Sequence, residues 1–561
     1  MLQFLNLRIF PIFHPLFGLT LLLIPFVSPS QSGGFPEKPN VIFIITDDQH
    51  RESFGFIENK ALTPNIDRIA REGIYFSQCY VAASVCTPSR YSCLTGQYAS
   101  RCRTPRFLDG ITPEGQTRVT WNISLAENQR ILPHLLQQVG YKTGMVGKWH
   151  LGGISDQFQS VPPGSDPTNA QVTRILKENQ ENYCRALRKK YGWDYAAAVY
   201  RANLDGDRSL RNTGLDVHNM EAMTQAGLEF IEDNQDHPFF LYFSTTLLHY
   251  PEVYKSLNAD PRIGPAGLME RPITGIQPSR ESVLQRAAEA GVTGRAVEAT
   301  WLDDGIGALI HKLEELGIAE NTLVIYFNDH GMDYGGKGTC YQGGILTPAI
   351  AYWPGTIKPA SEERLIQNVD FMPTILQLSG AEVPADMKID GRNLVPLFTR
   401  EVVEWRSSIY SEIGYVRCVV TDDGWKYFAF RVPPSSLRPL EERMAAQLLN
   451  HERLRKEEPW WMEFVEIDPE ARFFHLGLSP GGTAFEQDPF RPGAQQGEWH
   501  DPAPWRHNYF DQDQMYQIST DPLEITNLAK HPAYAHKLLE MQNVLKNYLN
   551  QLPGTFAELK P

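Results

Sequence analysis

Residues 41–48 read Val-Ile-Phe-Ile-Ile-Thr-Asp-Asp. The first six residues are apolar, aromatic or β-branched without any polar alternation, which is typical of a parallel strand that is buried on both faces. Two carboxylates follow directly where this strand would end. In open α/β sheets, ligands bind at the carboxyl ends of the strands. The stretch therefore predicts a central strand that delivers two acidic side chains to a functional edge of the sheet.

Two further apolar runs have the same layout. Residues 322–327 precede Asn-Asp-His-Gly, and residues 239–243 lead through a short loop to His249. Apolar residues also recur every three or four positions over 297–316, which predicts an amphipathic helix. Strands that alternate with helices predict an α/β fold, doubly wound, with a mostly parallel central sheet flanked by helices.

The length of 561 residues predicts more than one domain. Short strand-like runs around an Asp-Asp-Gly turn indicate a smaller C-terminal α+β domain built on an antiparallel sheet. These runs are 408–412, 416–420 and 425–430. We predict a main domain over residues 31–400, with an insertion at about 153–207 over the active-site edge, and a C-terminal subdomain over 401–561.

Residues 1–30 have the layout of a secretory signal peptide, with Arg8, an apolar stretch from Leu16 to Val27 and then Ser-Pro-Ser. A permanent membrane anchor is the alternative, but Pro25 and the short apolar run favour a cleaved signal. No later stretch is apolar enough to span. We therefore predict an exported protein, periplasmic or secreted, without a membrane span after signal cleavage.

The formal net charge of −14 argues against nucleic acid as a partner. A local cluster of Lys, Arg and metal can still attract an anionic ester. The chain has 7 cysteines, and this odd number suits six others and one that is set aside for chemistry. Export would permit disulfides, but the sequence cannot pair the cysteines, and buried thiols are the alternative for several of them.

Asp47 and Asp48 are adjacent, so their side chains can converge on one point only if the chain turns there. Together with Asp329 and one further side chain they would form the oxygen-rich site that hard cations such as Ca²⁺ or Mg²⁺ prefer. A solvated acidic loop is the alternative for an isolated pair of this kind. The position after a buried strand favours the cation site.

Residues 86–96 read Cys-Thr-Pro-Ser-Arg-Tyr-Ser-Cys-Leu-Thr-Gly. This run resembles the signature of the type I sulfatases of the alkaline phosphatase-like superfamily, in which a maturation enzyme oxidises the cysteine to formylglycine. The alternative is a buried structural cysteine at a strand-to-helix turn, with Pro88 in the first turn of the helix.

Other segments resemble the same family. Residues 147–152 (Gly-Lys-Trp-His-Leu-Gly), 249–251 (His-Tyr-Pro) and 336–339 (Gly-Lys-Gly-Thr) are similar to three of its motifs. The likeness covers residues 38 to about 400 and returns at 515–528. Two positions depart from the common pattern: Gln342 stands where Glu is frequent, and Leu346 where Arg is common.

The resemblance implies a metal site and a set of catalytic residues. The cation, Ca²⁺ first with Mg²⁺ or Mn²⁺ as alternatives, would be held by Asp47, Asp48, Asp329, His330 and an oxygen of modified Cys86. The catalytic residues would be Cys86, Arg90, Lys148, His150, His249 and Lys337. Many sulfatases place Asn where His330 stands, and imidazole is a softer ligand than an amide oxygen, so a role for His330 beside the ligands stays open.

The resemblance also implies a mechanism. A hydroxyl of the hydrated aldehyde, activated by the cation and Arg90, would attack sulfur. Lys148 and Lys337 would stabilise the developing charge, and His249 or Lys337 would protonate the leaving alcohol. His150 would then help the hydrate to collapse and expel sulfate. We place Lys148 and His150 two residues apart on a strand, so that they share one face.

These features predict an exported sulfatase that acts on a sulfated carbohydrate and depends on a formylglycine-generating maturation enzyme. One alternative is a phosphonate monoester hydrolase or phosphodiesterase of the same superfamily, since sulfuryl and phosphoryl transfer need similar positive charge. The other is a catalytically silent glycan-binding homologue in which Cys86 is never oxidised.

Overall fold

The structure is a computed structural model that describes residues 35–154, 158–333, 336–457, 467, 469–471, 508 and 511–559. The predicted signal peptide, residues 1–30, lies outside the described residues. The strands are β1 (Asn40–Thr46), β2 (Ile74–Phe76), β3 (Cys79–Tyr80), β4 (Lys142–Lys148), β5 (Tyr195–Tyr200), β6 (Phe239–Ser244), β7 (Ile263–Gly264), β8 (Gly267–Leu268), β9 (Thr322–Asn328), β10 (Ala349–Tyr352), β11 (Ala360–Glu362), β12 (Ile366–Gln367), β13 (Ser408–Ile413), β14 (Val416–Thr421), β15 (Trp425–Phe430) and β16 (Asp513–Gln517).

The helices are α1 (Gly55–Glu58), α2 (Pro64–Glu72), α3 (Cys86–Thr95), α4 (Pro105–Leu108), α5 (Leu132–Gln138), α6 (Ala170–Lys190), α7 (Arg208–Asn212), α8 (Met220–Asp233), α9 (Val253–Leu257), α10 (Arg280–Ala290), α11 (Arg295–Glu315), α12 (Gln342–Ile345), α13 (Phe371–Ser379), α14 (Val395–Phe398), α15 (Leu440–Glu457) and α16 (Ala535–Leu549).

The central sheet has eight strands in the order β11-β2-β10-β9-β1-β6-β4-β5. Every neighbouring pair is parallel except the two that include β10, which runs antiparallel to β9 and to β2. The three apolar runs singled out in the sequence are the adjacent strands β9, β1 and β6. The predicted mostly parallel, doubly wound sheet is therefore confirmed.

The central strand β1 is buried along its whole length and contacts helices on both faces of the sheet. Ile42 and Ile44 belong to the core that also includes residues of α8 and α11. On the opposite face, the ring of Phe43 lies 5.2 Å from that of Phe371 in α13. Full burial of such a side chain contributes about 1.5–3 kcal/mol, which explains why this run forms the centre of the sheet.

The C-terminal region contains a separate antiparallel sheet in the order β13-β14-β15-β16, as predicted. Helix α16 packs on this sheet through Met541 and Leu545, which share a core with Tyr427 and Met515. The segment 153–207 contributes α6 and the edge strand β5. The boundaries of the predicted subdomain and insertion stay predictions.

No helix in the described part of the chain has the length and hydropathy that a membrane span requires. All seven cysteines lie within the described residues, where they are buried free thiols.

Candidate active site

The residues predicted from the sequence meet at the carboxyl edge of the central sheet. Asp47 directly follows β1 and Asp329 directly follows β9, while Lys148 is the last residue of β4. Cys86 is the first residue of α3, and every residue of this helix is buried. The carboxyl ends of three strands and the start of helix α3 thus bring residues from distant parts of the chain together at this edge of the sheet.

The chain turns at the acidic pair, as its convergence requires. Asp48 has a φ of 54°, in the left-handed region that residues with a side chain rarely adopt. Its backbone N–H donates to Oδ1 of Asp329 at 3.4 Å. The turn allows both carboxylates to face the same space at the end of β1.

Four buried side chains form a cluster that could hold a metal ion. The ligand atoms of Asp47, Asp48, Cys86 and His330 all lie within 4.8 Å of one another. Sγ of Cys86 is 3.4 Å from Oδ1 of Asp47 and 3.5 Å from Nε2 of His330. This sulfur stands where formylglycine would carry oxygen, so the donor set would be rich in oxygen and would fit a hard cation.

The imidazole of His330 faces this cluster. Its Nδ1–H donates to the carbonyl of Gly331 at 3.0 Å, because a carbonyl oxygen can only accept. Its Nε2 lies 3.2 Å from Oδ1 of Asp48 and 3.6 Å from Oδ1 of Asp329. Although burial opposes protonation, the Asp329 carboxylate and the bond to Asp48 raise the pKa of His330 well above its usual value.

Two buried lysines compensate the carboxylates of Asp47 and Asp48. Nζ of Lys148 bonds to Asp47, and Nζ of Lys337 lies 2.6 and 2.7 Å from the two carboxylate oxygens of Asp48. Burial by itself would raise both carboxyl pKa values, but Lys148 holds the pKa of Asp47 below its usual range and Lys337 does the same for Asp48. A buried charge is tolerated only when it is paired in this way.

Arg90 is fully buried and donates two hydrogen bonds to Asp329. Nε and Nη2 of Arg90 donate to Oδ2 of Asp329 at 3.1 and 3.0 Å, and Nη1 donates to Oγ of Ser244. The Ser244 hydroxyl in turn donates to the backbone carbonyl of Lys148 at 2.6 Å. Arg90 thereby joins the ends of β9, β6 and β4.

The structure corrects the predicted placement of His150. Strand β4 ends at Lys148, and its register with β5 shifts around Gly147, which has a φ of 91°. His150 lies beyond the strand with a φ of 55°. The turn, and not a shared strand face, therefore brings His150 near Lys148.

His150 and His249 differ in their hydrogen-bond partners. Within the described residues, Nδ1 of His150 is buried and has no hydrogen-bond partner. Nδ1 of His249 donates to the carbonyl of Tyr250 at 3.0 Å, and its Nε2 lies 3.6 Å from Oδ2 of Asp48. Burial lowers the pKa of both histidines. Each is therefore neutral near pH 7.

Two site residues were missed in the sequence. Ser244 is the last residue of β6, and Asn328 is the last residue of β9, where its side chain accepts from the backbone N–H of Gln49 at 3.1 Å. Asn328 directly precedes Asp329, and Ser244 ends the strand that lies next to β1 in the sheet. Their position after a buried apolar run was the signal that could have found them.

Gln342, which stands where the sulfatase pattern frequently has Glu, contacts residues of the C-terminal region. Its backbone N–H donates to Oε2 of Glu524 at 2.6 Å, and its Oε1 accepts from Nζ of Lys426 at 3.2 Å. Lys426 and Glu524 form a fully buried ion pair at 2.7 Å. The carboxylate beside the loop that follows Lys337 is thus supplied by Glu524.

Several sulfatases of known function have sequences similar to this chain. The steryl-sulfatase of Rattus norvegicus is 29% identical over 447 residues, a match that covers 65% of this chain and 71% of that protein. The N-acetylgalactosamine-6-sulfatase of Homo sapiens is 29% identical over 399 residues, with 65% of this chain and 66% of that protein covered.

Solved structures share the fold. BT4656, in complex with its substrate D-glucosamine-2-N,6-O-disulfate, superposes with a TM-score of 0.54 and 20% sequence identity over 92% of this chain and 98% of that protein. At this identity the likeness concerns the fold. The sulfatase family model matches residues 39–381, which is more than half of the chain. The chain therefore belongs to the sulfatase family and is a sulfuric ester hydrolase.

Proposed function

We propose that this sulfatase acts on sulfated carbohydrates, is exported, and uses a formylglycine made from Cys86 beside a divalent cation, Ca²⁺ in the first place. The observation that carries the proposal is the position of Cys86, whose Sγ lies 3.4 Å from Asp47 and 3.5 Å from His330 at the start of a buried helix. A sulfated sugar as substrate is supported by the human N-acetylgalactosamine-6-sulfatase and by the sugar complex of BT4656.

The cation would be held by Asp47, Asp48, Asp329 and His330, together with an oxygen at position 86. It would supply Lewis-acid chemistry, because a bound cation lowers the pKa of a hydroxyl and balances negative charge. Formylglycine would supply two hydroxyls on one carbon when hydrated, which a serine cannot. Mg²⁺ and Mn²⁺ are the alternative cations for the same oxygen-rich donors.

The chain's own cations bind and stabilise the sulfuryl group. Lys148 and Lys337 hold their Nζ atoms at the acidic cluster, and Arg90 keeps Asp329 in place with two N–H groups. Their charges are buried, where they act on a developing negative charge more strongly than in water. The site is therefore arranged for an anionic ester.

Two groups are suited to move protons. Despite its burial, Lys337 has a pKa raised by Asp48, so its Nζ stays protonated and can donate to the leaving oxygen. His249 is neutral with its Nδ1–H donated to Tyr250, which leaves Nε2 as an acceptor. We therefore assign the general acid to Lys337. Nδ1 of His150 has no hydrogen-bond partner among the described residues, and we assign it the role of accepting a proton from the group at position 86.

The maturation enzyme must reach Cys86 before the chain folds. Cys86 is 0% exposed in the folded protein, and burial raises the pKa of its thiol, which opposes formation of the reactive thiolate. An oxidising enzyme needs direct access to the sulfur. We therefore place the modification on the unfolded or partly folded chain.

The decisive experiment measures sulfate release from a panel of sulfated mono-, oligo- and polysaccharides. The protein is produced with a formylglycine-generating enzyme, and the mass of the peptide that carries position 86 verifies the aldehyde. We expect release by the wild type and none by Cys86→Ala, while Cys93→Ala, a buried cysteine of the same helix, keeps activity.

Each alternative has its own outcome in this experiment. Faster release of phosphate than of sulfate from matched esters would favour the phosphonate monoester hydrolase or phosphodiesterase. An intact thiol at position 86 in the protein from its natural host would favour the silent glycan-binding homologue. Turnover by Cys86→Ala at the wild-type rate would overturn the proposed chemistry. The mass of the mature N-terminus tests cleavage of the predicted signal.

Removal of metal tests the cation. After treatment with EDTA we expect sulfate release to fall to background and the Tm to drop, and both to return with Ca²⁺. A ligand present at 100 times its Kd stabilises the folded state by about 2.7 kcal/mol. Asp47→Asn removes a charged ligand and should lose the Tm response to Ca²⁺, whereas unchanged Tm and activity after EDTA would contradict the proposal. Parallel additions of Mg²⁺ and Mn²⁺ identify the preferred ion.

A further inference from the structure

A cavity of about 260 Å³ adjoins the active site on the side of His249. One wall is the segment 248–254, which follows β6, and the other is the segment 293–298 at the start of α11. His249 belongs to the cavity wall, and its Nε2 is 3.6 Å from Oδ2 of Asp48. A leaving group attached to a sulfate at the acidic cluster would therefore lie next to this cavity.

Arg295 joins the cavity wall to the acidic cluster. Its Nη1 donates to the backbone carbonyls of Asp48 and Leu248 at 3.3 and 3.0 Å. These bonds connect the first residue of α11 to the turn that follows β1 and to the loop that follows β6. The cavity is thus built on the same strand ends as the site, and its position relative to the site is fixed.

Glu298 is the polar group that the fold leaves unsatisfied in this cavity. It lines the cavity, it is 2% exposed, and its Oε2 has no hydrogen-bond partner within the described residues. Burial raises the pKa of Glu298 well above its usual value, although the Arg295 guanidinium opposes this shift, and the raised pKa favours the protonated carboxyl, which can both donate and accept. A buried carboxyl oxygen without a hydrogen-bond partner destabilises the protein, and a hydroxyl of a bound ligand would remove that cost.

The remaining lining is mainly apolar and aromatic. Tyr250, Pro251, Val253 and Tyr254 contribute to one wall. Such surfaces pack against the C–H groups of a sugar ring, while a few polar groups fix its orientation. The volume is close to the lower end of small-molecule sites, which begin at about 300 Å³, and this size suits one ring.

We propose that this cavity is the subsite for the ring of the leaving alcohol, and that Glu298 selects a hydroxylated sugar ring by a hydrogen bond to one of its hydroxyls. The inference rests on the proposed function and names the residue that would set the substrate class. A flat aryl or apolar steryl alcohol would leave the buried carboxyl unpaired, and sites built for a hydroxyl discriminate strongly against ligands that lack it.

Binding to unmodified protein tests the proposal without turnover. Isothermal titration of Cys86→Ala uses a panel of sulfated hexoses that includes N-acetylgalactosamine 6-sulfate and D-glucosamine-2-N,6-O-disulfate, with 4-nitrophenyl sulfate as the aryl probe. Adding Glu298→Leu should weaken binding of the sulfated hexoses about 10- to 100-fold, as expected for loss of one buried hydrogen bond. Binding of 4-nitrophenyl sulfate should change by less than about 3-fold, because the aryl ring makes no such bond.

Two further variants serve as controls. Glu298→Gln keeps a donor and an acceptor and should retain most of the affinity for sulfated hexoses. Glu289→Gln changes an exposed carboxylate of α10 that does not line the cavity, and it should leave the binding of both probes unaffected. An unchanged Tm verifies that each variant is folded.

The outcomes separate this inference from the proposed function. Equal losses for sulfated hexoses and for 4-nitrophenyl sulfate, or no loss in Glu298→Leu, would overturn the role of Glu298 while the sulfatase activity on sugars stands. Binding of 4-nitrophenyl sulfate alone by Cys86→Ala would overturn the carbohydrate substrate and, with it, the sugar subsite. Selective loss of hexose binding supports both.

Discussion

At the scale of single residues, the site is a balance of buried charges. Asp47, Asp48 and Asp329 lie at the ends of two strands, and each is paired with a lysine or with Arg90. The two lysines hold the pKa values of Asp47 and Asp48 below their usual range in a buried place, where an unpaired charge would be strongly destabilising. The lysines would contact an anionic ester, and the carboxylates would contact a cation.

Arg90 is the residue whose geometry leads to the sharpest prediction. Lysine would keep the charge but would lose the fork of two N–H groups that holds Asp329. We expect Arg90→Lys to lower kcat for sulfate release about 10²- to 10³-fold, the usual cost of removing one such group from an active site.

Arg101→Lys is the matched control for this prediction. Arg101 binds Asp390 through Nε and Nη2, both at 2.7 Å, and its Nη2 also donates to the carbonyl of Gln551 at 3.0 Å, so these partners lie outside the acidic cluster. Since none of its partners belongs to the acidic cluster, this variant should keep kcat within about 2-fold. Full activity of Arg90→Lys, with a Tm equal to that of Arg101→Lys, would contradict the assigned role of Arg90.

At the scale of elements, the ends of the strands decide where the chemistry lies. Strand β4 ends at Lys148 through a turn at Gly147, and β6 ends at Ser244, which bonds to Lys148 and Arg90. A Cβ at position 147 would lie 1.9 Å from the carbonyl oxygen of Ser244. This close approach explains why a residue without a side chain stands there.

Gly147→Ala should therefore displace Ser244 and with it Lys148. We expect kcat/KM to fall about 10²-fold, since a displacement of about 1 Å in an active site has this effect. Gly140→Ala is a close control, because Gly140 has the same φ of 91° and nothing lies within 4 Å of the added Cβ. Both variants carry the strain of a left-handed alanine, about 1–2 kcal/mol, so equal activity in the two would disprove the argument.

The C-terminal sheet supports the catalytic edge through one buried contact network. Lys426 of β15 pairs with Glu524, and both bond to Gln342 at the start of α12. Gln342 lies five residues after Lys337. The loop that carries this lysine is thus fixed by a contact with Glu524, 182 residues after Gln342 in the chain.

At the scale of the whole molecule, buried neutral histidines make stability depend on pH. Nε2–H of His218 donates to the carbonyl of His249 at 2.8 Å, and its Nδ1 then accepts from the Thr246 hydroxyl at 2.8 Å. Burial lowers the pKa of His218 from 6.5 to about 3. Between these values the unfolded chain binds a proton that the folded protein does not, so the folded state loses stability as the pH falls.

The expected loss from His218 is about 1.4 kcal/mol per pH unit below pH 6.5, until the folded pKa is reached. Urea unfolding at pH 7, 6, 5 and 4.5 measures how the free energy of unfolding changes with pH. In His218→Gln this change should be smaller by about 1.4 kcal/mol per pH unit, the contribution of one proton. His311→Gln is the control, since the side chain of His311 is 80% exposed. The same slope in wild type and in His218→Gln would refute the prediction.

Much of this organisation was readable in the sequence because it depends on local chemistry. Unbroken β-branched and apolar runs of this length are typical of buried parallel strands. Because the parallel strands end at one edge, the positions of Asp47, Asp329 and His249 after such runs indicated that they converge. The likeness of residues 86–96 to sulfatases identified the family, which residues 39–381 match. The catalytic roles of the individual side chains stay predictions.

The tertiary structure alone decided the features that join distant segments. The partner of Gln342 is Glu524, 182 residues away, and Ser244 bonds to Arg90, 154 residues away, and no local pattern encodes either contact. The turn at Gly147 moved His150 off the predicted strand. The cavity at Glu298 exists because a loop and a helix start lie side by side. Local sequence thus determined the strands and the motifs, while packing between segments far apart in the chain determined which side chains are paired and which are left for a ligand.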